Sequence, residues 1–232
     1  MTVLAAASSS TTYWYLTRST GAVALLLLTL SVALGVAGVS RLRSPRWPRF
    51  VVDSLHRNVS LLALAFLLFH ILTAVLDSFA PISLIDAFVP FAGSYRPFWL
   101  GLGAVAFDLL LAVALTSLVR RRLGYGAWRA THWLAYACWP IALLHGLGTG
   151  SDVKSTWLLA LSIGCVGIVV LAVGARAIIG WPDHARVRGA ALGATAAFSL
   201  FLVLWLPGGP LGHGWARRSG TPTSLLAGSA RK

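Results

Sequence analysis

Charge is scarce in this chain, and negative charge is scarcest. Only 11% of its 232 residues are charged, with 6 acidic side chains against 19 lysines and arginines. The chain is 57% hydrophobic with a mean hydropathy of +0.79. It lacks the polar surface to cover itself in water, which excludes a soluble globular domain. Cysteine is nearly missing as well. Cys138 and Cys165 lie in apolar runs and no CxxCH occurs, so nothing supports a disulfide framework, a zinc site or covalent c-type haem attachment. A net charge of +13 would point to nucleic acid in a soluble protein. Here the basic residues gather in short connections between apolar runs, which is the pattern of membrane orientation, and no nucleic-acid partner is expected.

What the chain does have is long apolar runs. Six come near the roughly 20 residues needed to cross a bilayer core: residues 20–40, 56–77, 98–119, 131–148, 156–178 and 188–207. The expected fold is an all-α integral membrane protein, a six-helix bundle. The longest connection, near Asp77 to Arg96, carries Pro81 and Pro90, and Pro97 follows it. Arg41, Arg43, Arg46, Arg49, Arg57, Arg120, Arg121, Arg122, Arg129, Arg176, Arg186 and Arg188 fall in or beside the connections 1–2, 3–4 and 5–6. The other two connections hold only Arg96 and Lys154. That bias places the first group in the cytoplasm and both termini outside, in a multi-pass protein of the cell membrane. The basic tail (Arg217, Arg218, Arg231, Lys232) runs against it, but weighs less as a terminus. Tyr13, Trp14, Tyr15, Trp99, Trp157 and Trp205 mark outer boundaries, and Trp47, Trp128, Trp133 and Trp181 inner ones. The first apolar run is longer than a usual signal h-region and is followed by four arginines, so it reads as an anchored helix.

Two of these runs carry histidines in matched pairs, His56 with His70 and His132 with His145, 14 and 13 residues apart. Each spacing is about 20 Å along a helix. Ionisable groups at membrane depth are costly and usually functional, and imidazole is a common axial ligand of haem iron. The two helices run in the same direction. His56 would therefore pair with His132 on an inner b haem and His70 with His145 on an outer one, two stacked haems forming an electron path across the bilayer. Fourteen steps return His70 to the face of His56, whereas 13 steps leave His145 about 140° from His132 in a straight helix. Pro140, between them, is expected to kink the helix and re-aim His145. His184 and His213 lie in polar connections and are expected to be solvated. The contrasting reading is a structural or carrier membrane protein whose histidines only pack.

The segments HRNVSLLALAFLLFH (56–70) and TSLVRRRLGYGAWRATHWLAYACWPIALLHGLGTG (116–150) resemble the ferric reductase-like transmembrane domain. That domain is shared by ferric reductases, NADPH oxidases and the haem membrane subunit of the periplasmic methionine sulfoxide reductase system. The resemblance covers roughly 20–178. It leaves 1–19 as an N-terminal extension, 179–207 as an additional sixth helix with its loop, and 208–232 as a basic tail. It implies that His56, His70, His132 and His145 ligate two b haems. Ferric reductases and NADPH oxidases continue into a flavin and nicotinamide domain. This chain shows no GxGxxG after a strand and no room for that fold, so no flavin or NAD(P) site is expected on it. A separate flavoprotein reductase or quinol is then the donor. The acceptor is left open among a ferric chelate, oxygen and an outer-face redox protein, and a quinol-oxidising cytochrome b is the competing reading.

Haem propionates need cationic partners at the membrane edge. Arg57 and Arg129 are placed for the inner haem, and Tyr95, Arg96 and Lys154 for the outer. Asp108, in the middle of the third run, is read three ways: acceptor for a ligand histidine, protonated partner of another helix, or proton-transfer group. Asp77, Asp86 and Asp152 are expected at solvated helix ends. Phe66, Phe69, Trp133, Tyr136 and Trp139 are expected beside the haems or the lipid.

Overall fold

In the computed structural model, residues 2–39, 48–179 and 181–229 are described. Arg41, Arg43, Arg46, Trp47, Arg231 and Lys232 lie outside them, as does the side chain of Arg49. The described chain is helical without strands: α1 (Thr2–Val39), α2 (Arg49–Leu76), α3 (Pro97–Leu118), α4 (Arg120–Leu123), α5 (Tyr125–His132), α6 (Leu134–Thr149), α7 (Thr156–Ile179), α8 (Ala185–Gly208), α9 (Trp215–Arg218) and α10 (Thr223–Ser229), with a 3₁₀ turn at Leu84–Ala87. Among the described residues five helices are long and apolar enough to cross a bilayer, within α1, α2, α3, α7 and α8.

The breaks follow from local chemistry. Pro97 opens α3 at the position where its missing N–H costs nothing. Gly124, with φ 79°, separates α4 from α5. The expected run 131–148 is divided at Trp133, one residue after His132, and α6 alone has 16 residues. The helix continues through Pro140, and the break between α5 and α6 falls at Trp133, beside the first histidine. The first helix also begins earlier than its apolar run, at Thr2.

Two compact units make up the chain. The first comprises Met1–Gly21, Leu67–Ser151 and Gly214–Lys232; the second comprises Ala22–Phe66 and Asp152–His213. In the first, α5 and α6 run antiparallel along α3. Trp128 Nε1 donates to Ser117 Oγ (3.2 Å), Cys138 Sγ donates to the Ala106 carbonyl (3.2 Å), and His145 bonds to the Trp99 carbonyl. These pairings advance in step along both helices, so the register carries on across Trp133. In the second unit α7 packs on α8, and Arg188 Nη1 donates to the carbonyls of Arg176 and Ala177, closing the end of α7 with a cation as the helix dipole favours.

Candidate functional site: paired histidines on main-chain carbonyls

α2 and α6 each carry one histidine into the first unit, His70 and His145, and their rings lie 6.2 Å apart at an interplanar angle of 81°. The Nδ1–H of His70 donates to the Thr17 carbonyl of α1 (2.7 Å), and that of His145 to the Trp99 carbonyl of α3 (2.9 Å). A carbonyl only accepts, so these bonds fix the tautomer: Nδ1 carries the proton and Nε2 keeps its lone pair. Thr149 Oγ1 lies 3.3 Å from His145 Nδ1 as well.

In the second unit His56 Nδ1–H donates to the Ser31 carbonyl (2.9 Å). Ser31 Oγ lies 3.4 Å from the same nitrogen and 2.6 Å from Ser60 Oγ, which in turn donates to the His56 carbonyl (2.7 Å). His132 belongs to the first unit, where its ring stacks on Trp128 (5.0 Å, 27°). The structure thus brings His70 and His145 together, while His56 and His132 are described each in its own unit.

Three acceptors that the sequence did not disclose are therefore main-chain carbonyls, those of Thr17, Ser31 and Trp99. Asp108 is none of them. It is half-buried on α3, about 140° around the helix from Gly103 and 160° from Ala106, the residues that meet α6.

The cations divide sharply. Arg57, Arg129 and Lys154 are exposed, as are His184 and His213. Arg96 is 4% exposed. Its Nη1 donates to the carbonyls of Gly148 (3.1 Å) and Thr149 (2.9 Å), and its Nε to Thr221 Oγ1 (3.0 Å). Burial lowers its pKa below the usual arginine value, and neighbouring Tyr95 pulls it back up. Its backbone sits at φ 42°, a strained conformation for a non-glycine residue, held by its N–H on the Gly220 carbonyl (3.1 Å). Trp215 adds Nε1–H to the Gly148 carbonyl (3.1 Å) and packs on Trp99 (5.2 Å). The segment taken as a plain basic tail is thus fastened over the end of α6 that carries His145. Arg18 is the cation that sequence reading passed over. It lies over the Trp14 ring (3.5 Å) and bonds Ser151, one residue from the carbonyl that holds His70. Its signal was a lone arginine at the mouth of the first apolar run.

Among the described residues no group of three or more His, Cys, Asp or Glu converges on a point; the pair offers two imidazole ligands. The family model described as "Ferric reductase like transmembrane component" matches residues 20–144. That span includes His56, His70 and His132 and ends one residue before His145. No curated protein and no solved structure matches the chain.

Proposed function

The chain belongs to the family of ferric reductase like transmembrane components, and on that premise we propose that it carries electrons across a membrane through two bis-histidine b haems. His70 and His145 would hold the outer haem, and His56 and His132 the inner one. One observation carries the reading. The His70 and His145 rings lie 6.2 Å apart, close enough for one metal ion to be held between them by metal–imidazole bonds of about 2.0 Å. The residues therefore fit the group. Both Nδ1 protons are already engaged by carbonyls, which leaves Nε2 on each ring for iron and raises the basicity of the ligand.

Bound there, a b haem supplies a one-electron iron couple whose potential responds to axial ligands, hydrogen bonds and burial. The protein's own part is to hold the imidazoles, keep them neutral and exclude water from between the helices. Arg57, about two turns into α2, and Arg129, in the last turn of α5, are exposed and would meet inner propionates, and Arg18 follows the Thr17 carbonyl that holds His70. In this reading α5 and α6 together form a sixth crossing, both termini lie outside, and electrons enter from a separate cytoplasmic flavoprotein. They leave toward a ferric chelate, oxygen or a redox protein on the outer face. Proteoliposomes loaded with ferricyanide test the activity. A membrane-impermeant reductant added outside bleaches the enclosed ferricyanide only when the haem-loaded protein is present, and haem-loaded vesicles that stay yellow refute the reading.

A further inference from the structure

The three carbonyl-bound histidines share a local pattern on the helix opposite. The acceptor is residue 17, 31 or 99, and four residues later stands Gly21, Gly35 or Gly103. In an α-helix the Cα–Cβ bond tilts toward the N-terminus, so a side chain covers the turn before its own Cα. A side chain at the fourth residue would therefore cover the very carbonyl that the histidine uses. A Cβ on Gly103 would lie 2.6 Å from His145 Nδ1, and one on Gly21 would lie 2.8 Å from His70 Nδ1. One on Gly35 would reach His56 Cε1 at 3.4 Å, an ordinary contact. By contrast, α3 has no glycine after Gly103, and the ring of His132 lies on Trp128 instead.

We infer that Gly21 and Gly103 are positioning residues, each a gap in the helix surface through which a ligand histidine reaches a main-chain carbonyl and is fixed in tautomer and orientation, while Gly35 stands at the matching place opposite His56 with room for a Cβ. The inference rests on the two-haem reading and adds a rule to it. Three of the four proposed ligands bond a carbonyl that has a glycine four residues on. The carbonyl bond gives the imidazole partial anionic character, which favours ferric iron. Losing it shifts the midpoint potential of that haem upward.

The test uses the full chain purified from membranes, with haem-to-protein ratio and redox titration as readouts. Wild-type protein without haem refutes the underlying reading and not the glycine rule. With two haems present, Gly103→Ala or Gly21→Ala is expected to remove one haem, or to keep it with a raised potential, while the other haem titrates as before. Gly35→Ala is expected to keep both. Gly167→Ala on α7, where an added Cβ meets nothing within 4 Å, serves as the control and is expected to match wild type. If Gly103→Ala lowers folded yield, the substitution is repeated in a His145→Ala background. There the clash is gone, and the double variant should fold as well as His145→Ala alone. Gly21→Ala and Gly103→Ala proteins with two haems at wild-type potentials would overturn the inference. So would a Gly103→Ala yield defect that persists in the His145→Ala background, since that marks a helix-packing glycine.

Discussion

The imidazole of His145 and the carbonyl of Trp99 form a 2.9 Å hydrogen bond between α6 and α3, and the same indole that flanks this carbonyl packs on Trp215. The bond sets the plane of the His145 ring as His70's bond to Thr17 sets its own. Two different helices thus dictate the two ring planes, and the planes come out 81° apart.

If both imidazoles bind one ferric haem iron with their planes so nearly perpendicular, the two iron orbitals that share three electrons would be almost degenerate. The outer haem of the oxidised protein is therefore expected to give a highly anisotropic low-spin ferric EPR signal. A rhombic signal alone, typical of parallel ring planes, would contradict the ring geometry of this pair.

Single substitutions separate the two sites. If both rings serve one iron, as proposed, His70→Ala and His145→Ala are expected to remove the same spectral component and leave the same residual potential. His56→Ala and His132→Ala are expected to spare that component. Redox-titrated difference spectra at matched protein yield decide the matter, and unlike residual spectra for His70→Ala and His145→Ala would break the pairing.

Arg96 fastens three segments: the start of α3, the end of α6 and residues 220–221. Hydrogen bonds from a charged donor contribute roughly 1.5–3 kcal/mol each, and buried carbonyls left unmet cost comparably. Arg96→Ala is expected to lower the thermal midpoint clearly in a fluorescence unfolding scan. Arg96→Lys recovers little, since an ammonium does not reproduce the planar fork. An unchanged midpoint would contradict the clamp.

The donor is tested by stopped-flow haem reduction. NADPH alone is expected to leave the protein oxidised, and NADPH with a flavoprotein reductase to reduce it. Rapid reduction by quinol alone would favour the quinol-oxidising alternative while leaving the haem ligands untouched.

Much of this was legible in residue order. Apolar runs announced the long helices, and of the histidine pairs expected to meet, His70 and His145 do lie together. The partners of those histidines were not legible, because a main-chain carbonyl has no residue identity. Asp108 was the one visible acidic candidate, yet it lies about 140° around α3 from Gly103, which faces His145. Pro140 was the visible irregularity of this run, yet the division between helices falls at Trp133, where no proline or glycine marks it. The tail reads only as basic, because the contacts of its Trp215 and Thr221 leave no periodic pattern in the sequence.

Haem stoichiometry tests the central claim most directly. Pyridine haemochrome of the purified protein, set against amino-acid analysis, is expected to give two b haems per polypeptide with a six-coordinate low-spin reduced spectrum. A well-folded, haem-free protein would contradict the account at its root, and a single haem would contradict the two-site path.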